Sequence, residues 1–558
     1  MDRRIRLSAV ALLAVGGLFN RLIPVRYSIG AEGGKEQVDP LQSWNDGKAK
    51  QSVLDFVAKV TKEGSVDFVP QSERIAVFDN DGTLWPENPV PFQLAFALDS
   101  LKQQLAAKPA LNDDPVVKAA LVGDAATLLA DHYKGLFRIV ALTHAGMTTE
   151  EFATRVNGWM NTAKHPRLGR PYDECVYRPM RELLAYLRAN GFKTYIVSGG
   201  GADFMRVWTE RVYGIPPEQV IGSHGQVKFE TRDGKPVLSK TLDQVFVDDK
   251  EGKPVAIHQF IGRRPILCVG NSDGDKAMLE YTTIGNVRPS FGLIVHHTDA
   301  DREYAYDSNP KSSGKLIEAL ADAPKRGWTV VDMKNDWKQV LNDPSVTAID
   351  ILLEPDGTML EHAGAVNARL LKVYPKGFAL DSTHRPHITL IQRFVHTADL
   401  EKVYAAAGKV IDGANVKGMR LEAFKHYYIP DGDTGLAGIV IKPTPDLIKL
   451  QQDLIDAVAP YTVKTGTSDA FVTTPDDLIM NPFLTDYVAA FVPKASGKNF
   501  NPHVTTGVAP KDYLDKMLKE PCASFTFSPA SAAVYQLGQY GTAAKRLKVW
   551  DEKRNESK

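Results

Sequence analysis

Asp79-Asn80-Asp81-Gly82-Thr83-Leu84-Trp85 follows directly on the apolar run Ile75-Ala76-Val77-Phe78. A short continuous apolar run reads as a strand covered on both faces, as in a parallel sheet flanked by helices. Side chains alternate along extended backbone, so Asp79 and Asp81 project together from the carboxyl end of that strand, the edge at which open α/β sheets take ligands. Taken alone, this stretch fits an acidic turn ending in Asp-Gly equally well.

The rest of the chain adds weight to the first reading. Tyr195-Ile196-Val197 runs into Ser198-Gly199-Gly200-Gly201, and Ile266-Leu267-Cys268-Val269 runs into Gly270-Asn271-Ser272-Asp273-Gly274-Asp275, with Lys253 in Gly252-Lys253-Pro254 between them. This ordered set of aspartate pair, serine, lysine and acidic Gly-rich loop resembles the phosphatase branch of the haloacid dehalogenase superfamily over residues 38–337. The resemblance implies an α/β fold, a Rossmann-like parallel sheet carrying a helical cap, and Mg²⁺ as cofactor. It makes Asp79 the nucleophile and a metal ligand. Asp81 becomes the acid that protonates the leaving oxygen and then the base that activates water, its backbone carbonyl also ligating the metal. Ser198 then binds the phosphoryl oxygens, Lys253 balances the charge around Asp79, and Asn271 and Asp275 complete the metal shell. The chemistry is consistent with this: a phosphate dianion repels nucleophiles, and Mg²⁺ with oxygen ligands neutralises it. Relatives that dehalogenate lack the second aspartate. Asn271 stands where an aspartate usually binds the metal; its amide oxygen can ligate but adds no charge, and Asp273 is an alternative ligand. Lys253 competes with an ordinary exposed loop lysine, since Lys250 lies just upstream.

More than a hundred residues separate the first two motifs, too many for a simple crossover. Helical patterns run over 92–105 and 181–188, and Thr148-Thr149-Glu150-Glu151 has the form of a capping box before Phe152. The resemblance makes this insertion, about 89–185, the cap that excludes water and selects the leaving group.

The C-terminal third carries a second signal. His387-Ile388-Thr389-Leu390 follows Pro386 and His503-Val504-Thr505 follows Pro502, each in a β-prone stretch that puts His and Thr on one face. One such match is weak, because His296-His297-Thr298 has the same form inside the other half. With helical stretches at 365–373 and 400–410 and Leu537-Gly538-Gln539-Tyr540-Gly541-Thr542 near the end, residues 345–547 resemble the two-histidine phosphoesterases, the family of 2′,5′ RNA ligases and cyclic nucleotide phosphodiesterases. That resemblance implies a bilobal α+β domain over 345–550, each lobe supplying one motif. His387 and His503 would exchange protons with water and leaving group, an imidazole being suited to both tasks. Thr389 and Thr505 would hold the phosphoryl oxygens, with no metal required.

At 558 residues, 43% hydrophobic and 24% charged, the chain is long enough for two cores and too apolar for global disorder. Its net charge of zero argues against a duplex-binding protein and leaves small phosphorylated substrates, nucleotides or short RNA ends as partners. Arg3-Arg4-Ile5-Arg6 before the apolar run 7–19 reads as a secretory signal within residues 1–30, or an uncleaved anchor, placing the protein in a bacterial periplasm or outside the cell. Cys175, Cys268 and Cys522 are too few and too far apart for a disulfide framework. The module boundary is expected in 338–345. Three functions remain open: a bifunctional phosphohydrolase, a phosphatase with a nucleotide-binding C-terminal module, and a phosphotransferase.

Overall fold

A computed structural model describes residues 39–241, 243–306, 308–310, 313–381, 384–473, 482–538 and 541–550. The basic and apolar N-terminal segment, and Gln539-Tyr540, lie outside the described residues. Among the described residues no helix is long and apolar enough to cross a membrane.

The first strand, Ile75–Phe78, sits at the centre of a largely parallel sheet. On one side it pairs in parallel with Lys193–Gly201, which pairs with Val220–Ser223; on the other with Leu267–Gly270, followed by Phe291–Thr298 and Thr329–Asp332. The continuous apolar run is explained by its two buried faces. Ala76 and Phe78 join a core with helix Lys48–Thr61 and helix Arg178–Ala189, while Ile75, Val77, Val197 and Cys268 face helices 252–256, Lys276–Thr283 and Glu318–Arg326. Cys268 is a buried small side chain, and all three thiols are free. Chain direction across the sheet reverses at Ile75–Phe78, so the crevice at its carboxyl end is a topological switch point.

The insertion contains helices Phe92–Ala107, Pro115–Val122, Ala125–His144 and Thr149–Thr162, the last begun by a capping box in which Thr148 and Glu151 bond reciprocally. Helix Arg178–Ala189, which the sequence reading divided at residue 185, packs Met180, Leu183, Leu184 and Leu187 on the sheet core. It therefore belongs to the sheet layer. The insertion is joined to the crevice by packed rings: Trp85 lies 4.2 Å from Trp208 and 4.3 Å from Phe92, and Phe96 packs on Trp159 and Phe204.

The C-terminal part holds two antiparallel sheets. One orders Thr462–Val463, Ile388–His396, Val346–Pro355, Pro529–Leu537 and Ala543–Trp550; the other orders His503–Pro510, Thr434–Ile441, Leu421–Asp431 and Phe525–Phe527. Ile351, Leu390, Leu421, Ile439 and Val504 from both sheets share one core with helices Gly357–Val373, Leu400–Gly413 and Pro445–Val458. Each sheet carries one of the His-x-Thr segments.

The halves meet through a buried polar seam. Arg178, paired with Glu182 at 3.0 Å, also pairs with Asp469 of the C-terminal part at 3.2 Å, and Asp343 N–H donates to Asp469 at 2.8 Å. Residues 338–345 are thus anchored on both sides.

Candidate active sites

Asp79 and Asn271 follow adjacent central strands and Ser198 lies in the last part of the Lys193–Gly201 strand beside them, so parallel pairing alone brings them to one crevice. Lys253 reaches it from the helix at 252–256. Its ammonium, 2% exposed, donates to Asp79 Oδ1 at 2.7 Å, to Asp275 Oδ1 at 2.6 Å and to the Val197 carbonyl at 3.0 Å. Burial works against that charge, but Asp275 and then Asp79 outweigh it and hold the lysine well above its ordinary pKa. Burial and the Asp275 charge lift the Asp79 carboxyl, with Lys253 opposing them. Lys253 thus engages Asp79 through Oδ1 and leaves Oδ2 for another partner.

Asp81 Oδ1 accepts from Trp85 Nε1 at 2.6 Å, and burial raises this carboxyl to about 6. Its other oxygen faces the glycine run. A Cβ at Gly200 would stand 3.5 Å from both Asp81 Oδ2 and Ser198 Oγ, and one at Gly201 would strike Gln93 Nε2 at 2.6 Å. The glycines therefore keep the space between acid, serine and cap open. Gln93, on the first cap helix, accepts from Gly201 N–H at 2.6 Å and brings a cap side chain to the crevice.

The acidic loop sorts its carboxylates by role. Asp275 Oδ2 accepts from the backbone N–H groups of Asn271 and Ser272 at 2.9 and 3.0 Å, while Oδ1 accepts from Lys253. Asp275, expected as a metal ligand, already has both oxygens committed to holding the loop and the lysine. Asp273 accepts from Ile317 and Ala319 N–H at the start of a helix, so the alternative ligand is a structural cap turned to a different element. Asn271 donates to Glu87 Oε1 at 2.7 Å and accepts from Thr83 Oγ1 at 3.0 Å.

Sequence reasoning missed Glu87. It is 3% exposed, accepts from Tyr306 at 2.8 Å and Ser313 at 2.5 Å besides Asn271, and burial raises its carboxyl to about 7. It also missed Asp248, fully buried, whose carboxyl burial raises to about 7. The acidic pair Asp248-Asp249 close before Lys253 was the available signal. His297, the middle residue of the third His-x-Thr match, is structural: its ring bonds the Gly82 carbonyl at 2.7 Å and Glu303 at 3.0 Å.

Among the described residues no three His, Cys, Asp or Glu side chains converge on one cation position. Oxygen atoms of the type Mg²⁺ takes are nevertheless carried by Asp79 (Oδ2), Asp81 (its carbonyl) and Asn271, whose amide oxygen also accepts from Thr83. A cation there would complete its shell with water and substrate, as Mg²⁺ commonly does.

The second site lies between the two C-terminal sheets. His387 Nδ1 contacts the Arg385 carbonyl and His503 Nδ1 the Asn501 carbonyl, each at 2.7 Å and each across an intervening proline. A carbonyl can only accept, so both rings carry hydrogen on Nδ1 and present Nε2 with its lone pair. Burial lowers His387 to about 4, with His503 adding to the effect, and burial lowers His503 too. The strands bearing the two motifs touch, and Tyr427 packs edge-on against His503 at 4.8 Å. Thr505 lies on the His503 strand, opposite Gly438. Thr389 was expected to bind phosphoryl oxygens, but its hydroxyl donates to Asp350 Oδ2 at 2.7 Å, a fully buried carboxyl that the sequence reading did not single out.

Residues 76–280 match the haloacid dehalogenase-like hydrolase family, and this part of the chain is a domain of that type. No curated protein matches the chain. Similar solved structures include a conserved protein of unknown function from Anaerococcus prevotii (16% identity, 53% of this chain, 94% of that one, TM-score 0.36). Others are a protein of unknown function from Bordetella pertussis (18%, 47% and 99%, 0.31) and a phosphoserine phosphohydrolase-like protein from Francisella tularensis (18%, 45% and 98%, 0.26).

Proposed function

We propose that the chain is an exported bifunctional phosphohydrolase: a Mg²⁺-dependent phosphomonoesterase in residues 38–337, and a metal-independent phosphodiesterase acting on cyclic or RNA-type 2′,3′-phosphates in residues 345–550. The observation that carries the first activity is the Lys253 ammonium joining Asp79 and Asp275 beside Asp81 and Ser198. A nucleophilic carboxylate needs its charge balanced without being protonated, and Lys253 supplies that at Oδ1 while Oδ2 attacks phosphorus. Asp81, protonated below about pH 6, gives its proton to the leaving oxygen. The aspartyl-phosphate is then hydrolysed by water from which Asp81 removes a proton. Ser198 steadies the phosphoryl oxygens. Bound Mg²⁺ would neutralise phosphoryl charge during transfer.

Two neutral imidazoles in the same tautomer, each fixed through Nδ1, support the second activity. One Nε2 is suited to take a proton from the attacking water and the other, once protonated, to return one to the leaving oxygen. A binding-only reading of this pocket is favoured by one observation, that Thr389 already gives its hydroxyl hydrogen to Asp350.

Phosphate release from monoesters and opening of 2′,3′-cyclic nucleotides, each with Mg²⁺ or chelator, test the proposal. Asp79→Asn and chelation should stop the first and spare the second; His387→Ala and His503→Ala should do the reverse. Loss of both activities in every variant would count against two sites, and binding of cyclic nucleotides without turnover would favour the binding-only reading.

A further inference from the structure

Asp350 lies in the Val346–Pro355 strand, directly opposite Gln392 in the neighbouring strand, with Thr389 opposite Leu352. A bulge between those two pairs puts Thr389 and Gln392, three residues apart, on the same face as Asp350. Asp350 is fully buried; its Oδ2 accepts from Thr389 Oγ1 at 2.7 Å and Gln392 Nε2 at 3.0 Å, and among the described residues its Oδ1 has no hydrogen-bond partner. Among the described residues the ion-pair partner in reach is the His387 imidazole, with Nε2 3.6 Å away. That nitrogen carries a lone pair, because the ring hydrogen is on Nδ1.

Among the described residues, the groups facing Asp350 from the elements packed around it supply no fixed positive charge. Thr389, Gln392 and His387 come from the Ile388–His396 strand and its approach. On the Pro529–Leu537 strand Tyr535 is opposite, its hydroxyl engaged by Glu354 and Arg546. Tyr487, from helix Pro482–Ala489, has its phenol pushed up by burial and by the Asp350 charge. His503 comes from the other sheet and is itself lowered.

A threonine hydroxyl has one hydrogen. While Asp350 is ionised it takes that hydrogen, and Thr389 offers an incoming phosphoryl oxygen only lone pairs, beside a buried negative charge. A protonated Asp350 reverses the bond: its O–H donates to Thr389 Oγ1, and the threonine hydrogen turns to the ligand.

Resting on the reading of this pocket as a phosphodiester site, we propose that Asp350 is a proton-linked positioning residue: the pocket binds a phosphodiester anion together with one proton, which is taken from solvent and stays on Asp350, so that the Thr389 hydroxyl turns its hydrogen to the ligand. The burial that raises this carboxyl to about 7 places the switch in the physiological range. Binding by the protonated form alone weakens affinity in proportion to that form, roughly tenfold between pH 6 and pH 8.

The test is calorimetric binding of adenosine 2′,3′-cyclic phosphate to the full chain bearing His503→Asn, which blocks turnover, with chelator present. Buffers of different ionisation enthalpy count the protons, and the diester itself does not titrate between pH 6 and 8. The expected result is close to one proton taken up at pH 8 and close to none at pH 6. Adding the isosteric Asp350→Asn should abolish uptake and flatten affinity across that range, and Thr389→Val should also remove the pH dependence. Binding without proton uptake, or uptake that persists in Asp350→Asn, overturns the proposal while the pocket reading stands. If Asp350→Asn abolishes the pH dependence but Thr389→Val leaves it intact, the turning of the Thr389 hydroxyl is overturned. Absence of binding, or binding indifferent to His387→Ala, overturns the pocket reading and the proposal with it.

Discussion

Replacing Lys253 by methionine keeps most of the side-chain volume and removes the charge. In the wild type the ammonium is 2% exposed and lies 2.7 Å from Asp79 and 2.6 Å from Asp275, so the substitution leaves two buried carboxylates facing each other with no cation between them. Breaking a buried ion pair by deleting one partner costs about 3–5 kcal/mol. For a domain of about 300 residues each kcal/mol moves the melting temperature by about 1.6 °C, so a fall of roughly 5–8 °C is expected in the transition of the N-terminal half at pH 7.5. The loss should shrink at pH 5. Without Lys253, at least one carboxyl keeps a folded pKa above its unfolded value; the folded state then binds more protons, and its stability rises as pH falls through that pKa. Urea unfolding followed by tryptophan fluorescence at both pH values reads this, Trp85 and Trp208 lying beside the crevice. A loss below about 1 kcal/mol at pH 7.5, or one that does not change with pH, would refute the reasoning.

Three further outcomes are expected. Because burial raises Asp81 to about 6, kcat/KM for an alkyl phosphate should decline above that pH as the acid form is lost; the decline should be shallower for p-nitrophenyl phosphate, whose leaving group needs less protonation, and Asp81→Asn should remove it for both. Glu87→Gln can keep Asn271 and Tyr306 on its amide oxygen only by turning its amide nitrogen to Ser313, whose hydroxyl must then accept instead of donate, and it loses the negative charge; a destabilisation of about 0.5–1.5 kcal/mol and weaker Mg²⁺ binding by calorimetry are expected. Asp469→Ala removes the charged C-terminal partner of Arg178 and the acceptor of Asp343 N–H, so limited proteolysis within 338–345 should accelerate while each half keeps its own unfolding transition.

Local pattern made much of the first half legible. Ile75-Ala76-Val77-Phe78 is apolar throughout because both faces of its strand are covered, and that fact placed Asp79 and Asp81 beyond its carboxyl end. The Thr148–Glu151 capping box was equally plain, since its partners are neighbours in sequence. Asp273 was harder to place. Its spacing resembles that of a ligand, and its role as a helix cap depends on residues 317–319, distant in the chain. Glu87 was missed for the same reason: Asn271, Tyr306 and Ser313 reach it from far along the sequence. In the C-terminal half the alternation of His387 and Thr389 was readable. Asp350 was not, because it reads as a polar interruption in an apolar strand until a bulge in the neighbouring strand turns Thr389 toward it.

The central claim is that Asp79 takes the phosphoryl group covalently, and acid quenching of the protein during turnover of a phosphomonoester, followed by peptide mass mapping, tests it most directly. The account predicts a hydroxylamine-labile phosphoryl group on the peptide containing Asp79, present in wild type and absent in Asp79→Asn. Steady hydrolysis with no label on that peptide, or an Asp79→Asn variant that turns over at the wild-type rate, would contradict it.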